Sequence, residues 1–391
     1  MKGVVWPLIV TMAIQALVSM AVFAPSVFAP VAHDDIGFPA SWVGIVTALI
    51  FIAATCGALF SGGVIARVGA LRMSQFSLMM CGSGIALMAS SNSWLVALGA
   101  LVMGLGYGPV TPSSSAILAD RTPERIRSFI FSLKQTGVPI GGALAGAILP
   151  ALIVAFGWRV SALSVGLACV VLAAAIQPYR PVVDLAQHFV PPKKPASLLE
   201  PLRLVLAHAR LREMALASCT YSGMQACLST FFVVYLTQRI GFSVPVAGAV
   251  LATAMAAGII GRISWGVVAD KWVKPRALLG MLGVTMSAGA ALTALFADTW
   301  PLAAILAVSS AYGASAIGWN GVYLSEVARI APPGKAGAAT GASLAMTYTG
   351  VVVLPLLFWA IVTLSDSYAA AYVVAACLTL WRGSYLFRSD R

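Results

Sequence analysis

Long apolar stretches alternate with short polar ones along the whole chain. Each stretch is long enough for the helix of about 20 residues that crosses a bilayer. Because a bilayer core offers the backbone no hydrogen-bonding partners, a helix is the expected form of every stretch. We therefore predict an all-α integral membrane protein. The twelve predicted transmembrane helices are 4–30, 40–66, 71–90, 94–119, 129–153, 157–178, 213–238, 244–269, 276–297, 301–327, 336–362 and 367–387.

The longest polar interval, residues 179–212, divides these helices into six and six. Its prolines and basic residues are typical of a linker. We therefore predict a six-helix bundle at 1–178, a cytoplasmic linker at 179–212 and a second six-helix bundle at 213–391.

Composition and charge support a membrane protein. Apolar residues make up 60% of the chain and charged residues only 9%, whereas soluble domains carry about 25% charged residues. In a soluble protein the net charge of +12 would suggest a nucleic-acid partner. Here 20 of the 24 Lys and Arg residues fall on the N-terminal side of the membrane when every predicted helix crosses it. The positive-inside rule then predicts a multi-pass protein of the inner (plasma) membrane, with both termini cytoplasmic and no nucleic acid as partner.

Few residues are suited to catalysis or metal binding. The six cysteines lie in apolar stretches without metal-ligand spacing, and the three histidines lie outside the predicted helices. The sequence contains no GxxxxGK[ST] loop for ATP. We therefore predict a protein that is not an enzyme and binds no metal or cofactor.

Two connections between predicted helices are similar to each other. GGVIARVGALR at 62–72 and GVVADKWVKPR at 266–276 align with an offset of 204 residues (62 to 266), about half the chain. A repeat at half length predicts two bundles of similar structure, related by pseudo-symmetry.

These connections resemble the loop G-x-x-x-D-[RK]-x-G-[RK]-x-[RK] that follows helix 2 in the major facilitator superfamily, and its relic after helix 8. The first copy has Ala66 in place of the acid, and the second has Val273 in place of the later glycine. The resemblance implies alternating access, in which charge pairs at the loop break as the bundles rock. The residues assigned to this conformational role are Gly62, Arg67, Gly69, Gly266, Asp270 and Lys271. The alternative is that the basic residues only fix the topology.

A second resemblance lies in the fifth helix. SLKQTGVPIGGALAG at 132–146 is similar to a glycine-proline motif of the same superfamily. Its glycines and proline predict a thin, kinkable face for the opposing bundle. They are Gly137, Pro139, Gly141, Gly142 and Gly146. GLGYGP at 104–109 is similar to a motif of helix 4 but lacks its arginine, so that residue's proton-relay role is not transferred.

Two cations interrupt apolar stretches, Lys134 in the fifth helix and Arg262 in the eighth. A charge buried in a bilayer costs about 2.5–3.5 kcal/mol, so such a residue usually faces the interior and binds something. The one acid that falls partly within a stretch is Glu326, and this excess of positive charge predicts an anionic substrate. Alternatively, Lys134 reaches the cytoplasmic surface, and Arg262 pairs with Glu326 or a helix-end carbonyl.

Arg262 also resembles the substrate arginine of the oxalate and monocarboxylate branch of the superfamily, and the chain resembles cyanate-permease-like members too. Other polar groups in apolar stretches could complete a small binding site, because an unpaired amide or hydroxyl is costly there. They are Gln15, Tyr107, Gln135, Tyr221, Gln225, Trp319, Asn320 and Tyr348. Each could equally form a hydrogen bond between helices.

Candidate residues for proton coupling are Asp34 and Asp35, at the outer end of the first helix, and Glu326. The first two could equally lie in a solvated loop, and the substrate's own carboxyl group could carry the proton. We predict a monomeric secondary transporter of a small, monocarboxylate-like organic anion that works by proton symport or anion exchange. The alternative function is export of drug-like or other organic solutes.

Overall fold

The computed structural model describes residues 2–90, 92–119, 121–123, 130, 133–184, 203, 205–331 and 336–388. Within these residues all twelve apolar stretches form helices. The first half contains α1 (Lys2–Ile36), α2 (Val43–Val68), α3 (Ala70–Met88), α4 (Ser93–Tyr107), α5 (Val110–Ala119), α6 (Gly137–Phe156), α7 (Trp158–Ala175) and α8 (Arg180–Asp184). The second half contains α9 (Ala209–Gln238), α10 (Val244–Lys271), α11 (Pro275–Ala294), α12 (Leu302–Gly318), α13 (Asn320–Ile330), α14 (Ala336–Ser365) and α15 (Tyr368–Arg388).

Ten helical stretches in the described part of the chain are long and apolar enough to cross a membrane. The predicted helices outside this set are α3 and α9, which carry more polar side chains. Two of their buried hydroxyl groups bond within the helix: Ser74 Oγ donates to Ala70 O at 3.0 Å, and Ser218 Oγ donates to Ala215 O at 2.8 Å. Such bonds satisfy a hydroxyl group without water, which is compatible with an apolar environment.

The chain divides into two compact units, Met1–Lys194 and Pro195–Arg391. Within the first unit, α1 packs against α6, α2 packs against α4, and α3 packs against α4 and α7. Within the second unit, α9 packs against α14, α10 packs against α12, and α11 packs against α12 and α15. Corresponding helices therefore have corresponding neighbours, and the pseudo-symmetry predicted from the repeated loop holds for helix packing.

Gly137 and Gly141 allow α6 to lie directly against α1. A Cβ atom at Gly141 would come within 2.2 Å of the Ala16 carbonyl oxygen, and one at Gly137 would come within 2.9 Å of the Gln15 Cβ. These two glycines therefore pack against α1 inside their own unit.

Three of the membrane-crossing stretches are interrupted. The fourth breaks at 108–109, the fifth at Thr136 and the tenth at Trp319. The break at Thr136 has a direct cause, because Pro139 has no N–H group to bond the carbonyl of Gln135 four residues earlier. The breaks matter for the site because several predicted substrate residues lie beside them.

The two copies of the repeated loop differ in packing. Gly69 joins α2 to α3 with a positive φ of 94°, and a Cβ atom there would come within 2.3 Å of the Asp184 Cγ. Only glycine fits such a position. In the second copy, a Cβ atom at Gly266 would meet no described atom within 4 Å. Gly62 lies within α2.

We expect Gly141→Ala to destabilise the protein, because the added methyl group would overlap the backbone of α1. Overpacking of this kind costs about 1–3 kcal/mol. The thermal unfolding midpoint of the purified protein should therefore fall. Gly266→Ala is the matched control, since its methyl group enters open space on a helix, where Ala is favoured over Gly by about 1 kcal/mol. Equal midpoints for both variants would contradict the close packing of α1 on α6.

Candidate functional site

Lys134 is buried inside the N-terminal unit, in a helical turn at 133–135 that precedes α6. Its exposed fraction is 1%, and it makes no hydrogen bond or ion pair with any residue that the structure describes. The ammonium group therefore does not reach the surface, contrary to the alternative considered above. Since an unmatched charge is costly in such a place, Lys134 is a candidate for contact with a ligand.

The residues on both sides of Lys134 pack against α1. Gly137, at the start of α6, packs on the buried Gln15. The Gln15 side-chain oxygen accepts a hydrogen bond from Thr111 Oγ1 at 3.5 Å. Leu133, the residue before Lys134, packs on an apolar cluster. The cluster consists of Val4, Leu8, Leu118 and Ile130.

Two other predicted residues of this unit are half-buried. Gln135, the next residue in the helical turn, projects about 100° away from Lys134. The Tyr107 ring meets the Phe51 ring edge to face, with 5.9 Å between centroids. Gln15 and Tyr107 thus each contact a residue of another helix, Thr111 and Phe51 respectively.

Arg262 lies on α10 and is half-buried in the C-terminal unit. Its Nη2 donates to the Ile317 carbonyl oxygen at 3.0 Å, and Trp265, one turn later, donates through Nε1 to Ala314 O at 2.8 Å. The Ile317 carbonyl belongs to the last turn of α12, where helical carbonyls lack intrahelical donors, and the Ala314 carbonyl lies just before that turn. Of the two alternatives for Arg262, the helix-end carbonyl is therefore the one that the structure shows.

The break between α12 and α13 carries the predicted pair Trp319 and Asn320. Trp319 is fully buried and meets the rings of Tyr221 and Tyr323 edge to face, at centroid distances of 5.7 and 5.3 Å. Its indole Nε1 has no acceptor in the described part of the chain. Asn320 Nδ2 donates to Gln225 Oε1 at 3.4 Å. A buried indole donor thus lies one residue beyond the turn that Arg262 caps.

The remaining predicted polar groups of this unit are tyrosines on other helices. The Tyr221 hydroxyl donates to Leu279 O at 2.8 Å, which is the interhelical bond that was its alternative role. Tyr348 is half-buried on α14. The Tyr221 hydroxyl is therefore engaged by another helix, and Tyr221 contacts Trp319 through its ring.

The three candidate acids for proton coupling all have basic or polar partners. Glu326 is buried and accepts two bonds from Arg329, at 2.8 Å from Nε and 2.6 Å from Nη2. Its partner is therefore Arg329, and Arg262 bonds a carbonyl instead.

The two acids at the end of α1 lie on helix, because α1 continues to Ile36. Asp35 Oδ2 accepts a bond from Trp158 Nε1 at 2.7 Å and lies 3.1 Å from Arg159 Nη2. Asp34 lies 2.9 Å from His33 Nδ1. Among the described residues, no three His, Cys, Asp or Glu side chains are grouped as metal ligands.

A family comparison decides what kind of protein carries these features. Residues 11–355 match the sequence profile of the Major Facilitator Superfamily. The chain belongs to this superfamily. Its fold is therefore the superfamily's twelve-helix, two-bundle fold, and the protein is a multi-pass membrane protein. The resemblance drawn from the two loop copies is confirmed.

The relatives of the chain within the superfamily are transporters. It is 25% identical over 393 residues to the hexuronate transporter of Bacillus subtilis (strain 168), covering 94% of this chain and 90% of the relative. It is 32% identical over 150 residues to the 4-hydroxybenzoate transporter PcaK of Pseudomonas aeruginosa, covering 38% and 33%. It is 30% identical over 129 residues to the gentisate transporter of Corynebacterium glutamicum, covering 30% and 27%. The last two similarities therefore span about a third of each chain.

Solved structures show the same fold. A bacterial homolog of the human lysosomal transporter Spinster, in an inward-facing and occupied conformation, has a TM-score of 0.74 and 14% identity, covering 100% of this chain and 97% of that one. A POT family transporter in complex with a thioalcohol-conjugated peptide has a TM-score of 0.78 and 10% identity, covering 98% and 96%. At these identities the similarity establishes the fold alone.

The first copy of the superfamily loop is held by an acid that the sequence analysis does not single out. Asp184, at the end of α8, accepts hydrogen bonds from the backbone N–H groups of Leu71 at 2.8 Å and Arg72 at 3.1 Å. These are orphan donors of the first turn of α3. Arg67, the basic residue of this copy, is exposed. A carboxylate thus caps α3, although the loop itself has Ala66 where the acid is expected.

In the second copy, a cation makes the contacts at the helix start, where the first copy has a carboxylate. Arg276 is buried, donates through Nε to Leu386 O at 3.1 Å, and bonds Glu213 Oε2 through Nη2 at 2.6 Å. Lys271 is exposed, and the Asp270 side chain lies outside the described part of the structure. Arg276 thus joins the start of α11 to the first turns of α9 and to the last turn of α15.

We expect Asp184→Ala to destabilise the protein, because two N–H groups of α3 would lose their acceptor. Loss of a helix cap costs about 0.5–2 kcal/mol. Thermal unfolding of the purified variant should show the lower midpoint. Asp34→Ala removes an exposed acid of the same charge and serves as the control. If both variants unfold at the same temperature, the cap has no energetic role.

Proposed function

We propose that this chain is a secondary active transporter that moves a small organic anion of the monocarboxylate class across the plasma membrane by alternating access. It works as a monomer with both termini in the cytoplasm. The observation that carries the proposal is the buried Lys134, which has no acidic partner among the described residues. A substrate carboxylate would supply the missing negative charge and would form a charge-assisted hydrogen bond with the ammonium group.

Arg262 and Trp319 support a second set of contacts to the substrate, in the C-terminal unit. A guanidinium group has five N–H donors, so it can hold a helix-end carbonyl and a carboxylate together. The Trp319 indole adds a donor beside aromatic rings. Such a combination suits a carboxylate attached to a small planar or cyclic body.

The relatives' names point to the same substrate chemistry. Hexuronate, 4-hydroxybenzoate, gentisate and benzoate, four of the substrates named for relatives of this chain, each carry a carboxylate group, whereas glucose, named for another relative, carries none. Three of these four have an aromatic ring. A buried lysine in one unit, and in the other an arginine near a buried aromatic cluster, are each complementary to a carboxylate or to an aromatic carboxylate, which favours an organic anion over a cationic drug as substrate.

Lys134→Met tests the proposal directly, because the two side chains have similar shape and differ in charge. We expect the variant to fold with an unchanged or raised unfolding midpoint, since an unmatched buried charge has been removed. The kcat/KM for benzoate uptake into proteoliposomes should fall about 10- to 100-fold, which corresponds to the loss of a charge-assisted hydrogen bond.

Arg203→Met is the matched control for this variant, because it removes an exposed cation elsewhere in the chain. We expect Arg203→Met to take up benzoate like the native protein. If Lys134→Met also takes up benzoate at the native rate, the proposed role of Lys134 is refuted. Uptake of cationic drugs by the native protein in place of carboxylates would support the alternative exporter.

The hydrogen bonds of Glu326 bear on whether transport is coupled to protons or to a second anion. Because Arg329 engages both oxygens of Glu326, we propose that the proton travels on the substrate or that anions exchange. Glu326→Gln should therefore retain the native response of benzoate uptake to a proton gradient and to internal benzoate. Uptake measured with and without a protonophore, in empty and preloaded vesicles, checks this. Loss of the gradient response in the variant alone would instead assign coupling to Glu326.

A further inference from the structure

A basic cavity of about 420 Å³ lies in the C-terminal unit, where α9 and α11 begin and α13 ends. The distribution of basic residues predicts this end to be cytoplasmic. Its lining residues are Arg210, Met214, Lys274, Pro275, Arg276, Glu326, Arg329 and Ile330. Four of these eight side chains are cations and one is an acid. Neither Lys134 nor Arg262 takes part, so the cavity is separate from the candidate substrate residues.

The charge of the cavity is only partly balanced by the protein. Arg276 pairs with Glu213 at 2.6 Å, and Arg329 pairs with Glu326 at 2.6 Å. Arg210 and Lys274 are exposed and make no ion pair or hydrogen bond within the described residues. Among the side chains that the structure describes, two positive charges therefore remain at the cavity after the internal pairs are subtracted. Anions accumulate where cations of one sign line a concave surface.

The equivalent helix start in the N-terminal unit has a capping carboxylate that the start of α11 lacks. There the chain supplies its own anion, because the Asp184 carboxylate bonds the N–H groups at the start of α3. The start of α11 has no side-chain cap, with Lys274 at the capping position. The second unit thus has a lysine at this helix start, where the first unit has a capping carboxylate, and a cavity beside it.

We propose that this cavity binds a phosphate group from the cytoplasmic side. Arginine binds phosphate oxygens in a bidentate manner and lysine binds them as a point charge, so Arg210 and Lys274 suit a phosphate in particular. A lipid headgroup and a free phosphate share this chemistry. The volume falls within the range of small-molecule sites, about 300–1,000 Å³, which accommodates either. The site does not depend on the identity of the transported anion.

The test compares two double variants of the purified full-length protein. Arg210→Gln with Lys274→Gln removes the two unbalanced cations. Arg212→Gln with Lys271→Gln removes two exposed cations that do not line the cavity, and is the matched control. Arg276 is left intact because its pair with Glu213 holds helix ends together. Each protein is titrated with inorganic phosphate, against sodium chloride of equal ionic strength, while its thermal unfolding midpoint is followed.

A second arm of the test uses lipid. Each protein is titrated in detergent with short-chain phosphatidylglycerol, against short-chain phosphatidylcholine. We expect the midpoint of the native and control proteins to rise with at least one of inorganic phosphate and phosphatidylglycerol. Binding to the cavity variant should be about tenfold weaker or more, as for loss of charge-assisted hydrogen bonds. Stabilisation by the lipid alone identifies a headgroup, and stabilisation by inorganic phosphate alone identifies a free anion.

Three results would overturn the proposal: no stabilisation of the native protein by either probe, equal stabilisation of both double variants, or stabilisation through Arg210 and Lys274 by benzoate alone. If the cavity variant fails to fold, the single variant Lys274→Gln is used with Lys271→Gln as control. Benzoate uptake is recorded separately, so failure of the proposed transport function leaves the titration result unaffected.

Discussion

An unmatched charge inside an apolar protein is the constraint on which the structure of this chain depends most. Two other buried charges are matched by opposite charges, Arg276 by Glu213 and Glu326 by Arg329, and the buried Arg382 lies over the rings of Trp381 and Tyr385. Lys134 has no such partner in the described part of the chain. Because each buried charge costs several kcal/mol unless something offsets it, a lysine kept in that state indicates that its partner comes from outside. This reasoning makes an anion the expected substrate.

Helix ends impose the second constraint, since the last carbonyls and first N–H groups of a helix need partners from elsewhere. The chain meets this need with charged side chains at several ends. Arg262 donates to the last turn of α12, and Asp184 accepts from the first turn of α3. These contacts explain why charges occur near breaks and connections in an otherwise apolar sequence. They also show that Arg262 has a structural task in addition to its proposed role toward substrate.

Sequence reasoning reached the fold because its main signals are local. Apolar length predicts every helix, and the 204-residue offset between two loops predicts the repeated packing of the two units. The burial of Lys134 also follows from its place in an apolar stretch. The partners of charged residues could not be predicted in this way. Asp184 lies 113 residues from Leu71 along the chain, and no periodicity or motif connects the two.

Sequence reasoning was also limited where one residue type admits several packings. The glycines of the fifth span predict a thin helix face, but the pattern does not identify the neighbour, which for Gly137 and Gly141 is α1. Gly266 matches the superfamily loop and yet has open space around it. A glycine pattern therefore shows where close approach is permitted, whereas the packing of whole helices decides where it occurs.

The differences between the two loop copies form one consistent set. In the first copy, Gly69 is required because the Asp184 carboxylate lies where a Cβ would be. In the second copy, Val273 stands at the position that corresponds to Gly69, and the start of α11 has no side-chain cap. Lys274 lies at the capping position there, so this helix start carries a positive side chain where the first copy has a carboxylate. The two units thus share their helix packing but differ in the charge at one helix start, and this difference is the physical basis for the phosphate site proposed in the second unit.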